Sequence, residues 1–229
     1  MAFPFVLALL LAGPSEPASP VPPPGDAATL RGENLYRMTL LRAAPGRLLD
    51  LIAEIKGRAG LMLRHSQGDQ WDVMTLAPAS YAGLAAPVAA APLAAPALIA
   101  WQEDEFVRGP DLAALPAFGD AGLYHVEMFH ALAGRRQELV RQREMENAFL
   151  KAVGRPQNAI FVREFGAAWD VFTVGAYRDW KHYAERDPGT PEQTLAAARA
   201  AGFESDATIG AYLRALIQDH HDTLATPLR

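Results

Sequence analysis

The chain has 229 residues, half of them apolar, about a fifth charged, and no cysteine. That length admits one large domain or two small ones able to fold alone. With 21 basic against 26 acidic residues the formal charge is −5, which gives no general attraction to phosphate backbones or anionic lipid and sets nucleic acid aside as a partner. The absence of cysteine excludes disulfides, thiolate-bound zinc, iron–sulfur clusters and thiolate catalysis.

Ala2 to Ala12 is an apolar run of signal-peptide length, too short to span a bilayer as an ordinary transmembrane helix. The expectation is export to the periplasm or beyond, with no stable membrane insertion once the leader is removed. Pro14, Pro17, Pro20, Pro22, Pro23 and Pro24 follow and favour an extended, solvated linker. Residues 1–33 are therefore read as leader and linker, 34–120 as a first module, and 121–229 as a second module with extra C-terminal helices.

An internal repeat organises the rest. Leu35 to Leu41 aligns with Leu123 to Phe129, both alternating as strands do. Each is followed by a Gly-Arg turn, Gly46-Arg47 and Gly134-Arg135, and then by a helical pattern. The first helix carries the stripe Leu48, Leu51, Ile52, Ile55, Ala59. The second, which is longer, carries Leu139, Val140, Phe149, Leu150, Val153 and ends near Gly154 and Pro156.

Gly68 to Leu76 then aligns with Gly166 to Val174 through a shared G-x-x-W-D-V. Leu61 to His65 and Ala159 to Arg163 read as the strands that enter these hairpins. From Ala77 to Ala100, Pro87, Pro92 and Pro96 break the Ala-rich sequence into short helical pieces. Leu98 to Trp101 reads as a fourth strand, and Glu103-Asp104-Glu105 opens a connector containing Pro110 and Pro116. In the second half, Tyr177 to Glu185 reads as a helix with Trp180 and His182. Thr190-Pro191-Glu192-Gln193 is a capping box that opens another helix, closed by Gly202. A last helix is expected from about Asp206 to Leu224.

Strand, helix, strand, strand, then helix, present twice, is the pattern of the ferredoxin-like module. The segments LYRMTLLRAAPGRLLDLIAEI and YHVEMFHALAGRRQELV, with WDVMTL and WDVFTV as third strands, resemble the dimeric α+β barrel superfamily. Within it the strand-then-Pro-Gly opening of the first copy looks most like NIPSNAP-type and antibiotic-biosynthesis-monooxygenase-type modules. The resemblance implies an α+β fold of two tandem ferredoxin-like β-α-β-β-α modules, their sheets packed against each other as a pseudo-dimeric barrel, existing as a monomer or a homodimer. Members include cofactor-free and haem-dependent oxygenases, haem-degrading enzymes, isomerases and proteins without known activity, so fold alone selects no reaction.

The chain has no G-x-S-x-G, H-E-x-x-H, G-x-G-x-x-G or G-x-x-x-x-G-K. The chemistry left is histidine and carboxylate, concentrated in the second half. On the strand Tyr124 to His130, His125, Glu127 and Phe129 share one face, while Tyr124, Val126, Met128 and His130 share the other. The His125–Glu127 pair could hold a metal, act as base and orienter, or be a half-exposed polar face. No metal site is assigned. In the expected last helix His220 falls on the stripe of Ile209, Leu213, Leu216, Ile217 and Leu224 and would point inward, as a core histidine or a base. Glu146 lies on the apolar side of its helix and needs a partner, for which Arg143 is near.

The catalytic candidates are thus His125, Glu127, His220 and Glu146, and the ligand-binding candidates Trp169, Phe129, His182 and Trp180. Trp71 and Trp169, at equivalent positions, also read as core pillars. The resemblance to the haem-degrading branch, where an Asn, a Trp and a His shape the site, maps Trp169 and His182 onto similar elements but meets His125 or Glu127 where Asn is expected. The function expected is binding of a small apolar or aromatic molecule, with monooxygenase-like or isomerase-like chemistry and no required cofactor. The alternatives are a non-catalytic binding or assembly protein of NIPSNAP-like type and a haem-binding protein.

Overall fold

The computed structural model describes residues 30–68, 71–85, 93–166 and 168–228; the leader and most of the proline-rich linker lie outside them. In chain order the elements are β1 (Asn34–Ala43), α1 (Leu48–Ile55), β2 (Leu61–Gln67), β3 (Val73–Pro78), α2 (Tyr81–Ala85), β4 (Ile99–Gly109), α3 (Pro116–Asp120), β5 (Leu123–Ala131), α4 (Arg136–Ala152), β6 (Asn158–Gly166), β7 (Val171–Tyr177), α5 (Trp180–Ala184), α6 (Pro191–Ala200), α7 (Ile209–Arg214) and β8 (Ile217–Pro227). No helix among the described residues is long and apolar enough to cross a membrane.

All eight strands join one closed barrel in the order β1-β3-β2-β8-β5-β7-β6-β4, each neighbour antiparallel. Alternation along the strands builds two layers of core. Tyr36, Met38 and Leu40 of β1 meet Tyr124, Val126 and Met128 of β5 and Phe161 and Phe172 inside the barrel. The opposite face of β1 sends Leu41 and Ala43 outward to Leu51 and Ile55 of α1. In the second half Phe129, Ile160 and Val171 pack outward against Leu139 and Val140 of α4. Leu51 and Ile55 are fully buried, and each such burial is worth about 1.5–3 kcal/mol, which is why helices this short hold their place.

This architecture corrects the expectation of two tandem ferredoxin-like modules. There are not two sheets stacked face to face; a single sheet closes on itself where β2 pairs β8 and β4 pairs β6. Among the described strands, closure leaves no edge for a second sheet or chain to pair with. Each seam contains a bulge, between His65 and Gln67 and between Phe106 and Val107, and bulges supply the bend a barrel needs. Next to each seam a glycine has positive φ, Gly68 at 124° and Gly166 at 117°. A Cβ at either would run into the facing backbone, Asp222 and Thr223 in the first case and Asp104 and Glu105 in the second.

Two element assignments also change. The expected last helix stops at Arg214 after six residues, and Ile217–Pro227 is β8. The acidic run Glu103-Asp104-Glu105 lies within β4, not in a connector. Asp104 faces outward and accepts from Arg37, Thr39 and Gln102, whereas Glu105 is fully buried opposite Met38. The Thr190 capping box forms as expected, with Thr190 accepting from the Gln193 backbone and Gln193 from that of Thr190.

Candidate functional site

Strand β5 lies between β8 and β7, with α4 across its outer face. Its register sets Glu127 opposite Asp222 of β8 and Thr173 of β7, and Phe129 opposite His220. Side chains in register on one face of a sheet stand within reach of one another. The expected His125, Glu127 and Phe129 face therefore exists, and β8 adds His220 and Asp222 to it.

Asp222 joins two imidazoles. Its Oδ1 lies 3.3 Å from His125 Nε2 and its Oδ2 lies 3.1 Å from His220 Nε2. Arg214 places a guanidinium nitrogen 2.7 Å from His220 Nδ1; guanidinium only donates, so Nδ1 accepts and Nε2–H donates to Asp222. The His220 ring also lies flat on Phe129, 5.9 Å between centroids and 6° between planes. At the neighbouring position Glu127 Oε2 accepts from Thr173 Oγ1 at 3.1 Å and from Arg143 at 3.3 Å. Arg143, buried on α4, also pairs with Glu146 and places its guanidinium over Phe129 at 5.0 Å.

The charges tune one another. Burial alone would lower the His125 pKa, but the Asp222 hydrogen bond and the fields of Glu127, Asp222 and Glu146 outweigh it and raise it. Asp222 is lowered, chiefly by its bond to His125. Burial raises Glu146, against the opposing effect of Arg143. Tyr177, behind the site, is pushed up to about 12 by burial.

An open groove of about 440 Å³ runs past the His125–Asp222 pair, walled by Tyr183, Thr223, Leu224, Gln67 and Gly68. The Tyr183 ring stands 5.5 Å from that of His125. One ligand atom each from His125, Glu127 and Asp222 fall within 4.8 Å of one another. Nitrogen and carboxylate donors of this kind could hold a divalent cation, in competition with Arg143 for Glu127.

The structure thus brings His125, Glu127, His220, Glu146 and Phe129 together and separates the remaining candidates. His220 does so from a strand, not from the expected helix. Trp169 points into the barrel, stacked on His130 at 4.0 Å. Trp180 is half exposed on α5. His182 accepts at Nδ1 from the Arg178 backbone and touches Tyr177, and neither His182 nor Trp180 walls the groove. The nitrogens of His220 are turned to Arg214 and Asp222, and His182, the histidine that the resemblance maps onto the haem-degrading branch, has its Nδ1 taken by the Arg178 backbone.

Asp222, Thr173 and Tyr183 were missed by sequence reasoning. The alternation in Asp219-His220-His221-Asp222, one histidine and one carboxylate per face, was the signal that could have found Asp222.

No family model and no curated protein matches this sequence. Among solved structures, an anthrone oxidase-like protein superposes with a TM-score of 0.62 at 11% identity, over 88% of this chain and 94% of that one. A candidate monooxygenase from Lactobacillus acidophilus NCFM aligns with a TM-score of 0.48 at 4% identity, over 86% of this chain and 95% of that one. What is shared at this level is the closed α+β barrel itself. At such identity the likeness is one of fold.

Proposed function

We propose that this protein is a monooxygenase-like enzyme that takes a small, largely apolar or aromatic carbon acid into the groove beside His125 and removes a proton from it. The observation that carries the reading is the Asp222 carboxylate bonded to His125 at the groove wall. With Nε2–H held by Asp222, Nδ1 keeps the lone pair and is the base. Asp222, Glu127 and Glu146 favour the imidazolium that forms, and Asp222 fixes the ring, as a carboxylate does behind a general base. The resulting carbanion passes its electrons to dioxygen, the oxidant of the reaction class. The fold shared with an anthrone oxidase-like protein supports this direction.

Anthrone is the natural probe, since its activated CH₂ becomes a carbonyl on reaction with one O₂, giving anthraquinone and water. Oxygen uptake and anthraquinone formation by the purified protein are expected to exceed the uncatalysed rate, and His125→Asn to lower kcat/KM on the order of 10²-fold or more. Turnover no faster than background, or a His125→Asn variant as active as the wild type, sinks the proposal.

A further inference from the structure

The inner face of the sheet, behind the His125 groove, is hollow at one end. Inward side chains of β1, β4, β5 and β8, with the residues leading into β3 and β7, enclose a cavity of about 260 Å³, a size that suits a small occupant. Three of the four tryptophans of the chain, Trp71, Trp101 and Trp169, line it with Leu40, His130 and His221. The wall is flat and layered: the His130 ring lies on Trp169 with 4.0 Å between centroids and 1° between planes, and His221 meets the Trp169 ring at 5.0 Å. None of these residues walls the His125 groove.

Two buried polar atoms of these wall residues lack a hydrogen-bond partner among the described residues. One is Trp71 Nε1, on a side chain only 1% exposed; the other is His130 Nε2. The second nitrogen of His130, Nδ1, lies 2.7 Å from Asp219 Oδ1. A carboxylate only accepts, so Nδ1 carries the proton and Nε2 of the neutral ring is an unused acceptor, whereas the indole N–H of Trp71 only donates. Buried polar groups are ordinarily paired, and here an unused acceptor and an unused donor belong to the wall of one aromatic space.

The charges around the cavity are already spent. Asp219 is taken by His130, Glu103 is engaged within the protein, and the Arg42 guanidinium stands 5.6 Å above the Trp101 ring at the rim. The matching ligand is therefore neutral. It has a flat apolar body to lie against the indoles and a hydroxyl, which both donates and accepts, for His130 Nε2 and Trp71 Nε1–H. An arene of the same shape without the hydroxyl leaves both atoms unpaired, and a ligand carboxylate would meet the repulsion of Glu103 and Asp219.

We propose that the barrel interior is a second binding site, distinct from the His125 groove, for a small neutral hydroxyarene held by His130 and Trp71. The test titrates 4-ethylphenol into the full-length protein, by calorimetry and tryptophan fluorescence, beside 4-ethyltoluene, which keeps the shape and loses the hydroxyl, and 4-ethylbenzoate, which carries a charge. The phenol should bind saturably and roughly tenfold more tightly than 4-ethyltoluene, and the benzoate should not bind. His130→Phe keeps a ring on Trp169 and removes the acceptor, so it should abolish most of that preference and leave the affinity for 4-ethyltoluene unchanged. His125→Asn should leave both affinities unchanged, which separates a failure of this site from a failure of the groove chemistry. Should His130→Phe fail to fold, the ligand series on the wild type decides alone. Equal affinity for the phenol and 4-ethyltoluene, no saturable binding of the phenol, benzoate binding as tight as the phenol, a full preference kept in His130→Phe, or loss of phenol binding in His125→Asn overturns the proposal.

Discussion

Asp222 serves two imidazoles with its two oxygens, so neutralising it changes both charge and orientation at the base. Because the His125 pKa stands above its ordinary value, with the Asp222 bond the largest raising effect, the basic form is present only above that raised pKa. On the reading of His125 as base, kcat/KM with anthrone rises as pH increases through it. In Asp222→Asn the hydrogen bond to a charge is lost, so the acid limb should move to lower pH while the plateau falls by about tenfold or more. A pH profile whose limb does not move would show that Asp222 does not tune His125. Glu105 offers a different residue-scale test. Burial pushes its carboxyl up to about 8, against the opposing field of Arg163. Between the ordinary carboxylate range and about 8, the folded chain holds a proton that the unfolded chain has lost. Stability therefore falls as pH rises across that window and is level above it. Glu105→Gln is neutral throughout, so it should match the wild type near pH 4 and exceed it by roughly 3–5 kcal/mol near pH 8. Denaturant melts of the two proteins at both pH values check this, and parallel pH dependences would refute it.

At the scale of elements, β8 decides whether the His125 group is a site at all, since it carries Asp222 and His220 and also closes the barrel against β2. Gly68 lets β2 approach β8 at this seam, having positive φ and no room for a Cβ against the Asp222 carbonyl. Gly68→Ala should force β8 outward beside Asp222, lower stability by about 1–3 kcal/mol through the strained φ and the clash, and reduce activity beyond what stability accounts for. A variant with unchanged melting temperature and unchanged kcat would show that the seam tolerates the displacement. The same strand explains what could be read in advance. On β5 an apolar inner face, Tyr124, Val126 and Met128, alternates with His125 and Glu127, so the facing was legible and so was the outward site. On β8 the residues Asp219 and His221 face inward and His220 and Asp222 outward. With polar groups on both faces the period of two is hidden, and Ile209, Leu213, Leu216 and Ile217 supply a helical spacing in its place. β4 hides itself in the same way, because Glu103 and Glu105 point into the barrel where apolar residues are expected. Barrel closure was illegible for a further reason: seam pairing is long-range, and local periodicity does not encode which strand lies beside β2.

For the whole molecule, closure makes the two halves of the chain mechanically one. The inner core mixes Met38, Leu40, Leu63 and Met74 with Val126, Met128, Phe161 and Phe172, and two seams of antiparallel pairing cross between the halves. Opening either seam exposes unpaired strand edges and the shared core together, so neither half keeps a buried inner face without the other. The expected consequence is a single cooperative unfolding transition. Trp71 and Trp169 are buried inside the barrel, one in each half, so their fluorescence reports closure while far-UV circular dichroism reports strands and helices. The two probes should give coincident denaturation curves. Replacing Trp71 with Trp101, or Trp169 with Trp180, by Phe leaves tryptophans in one half only, and the remaining fluorescence midpoint should equal the circular dichroism midpoint measured on the same variant. Separate midpoints for the two halves would mean that they fold independently and that the seams contribute little. That outcome would also remove the basis for a shared interior cavity, because its wall takes Trp71 and Trp101 from one half and His130, Trp169 and Asp219 from the other.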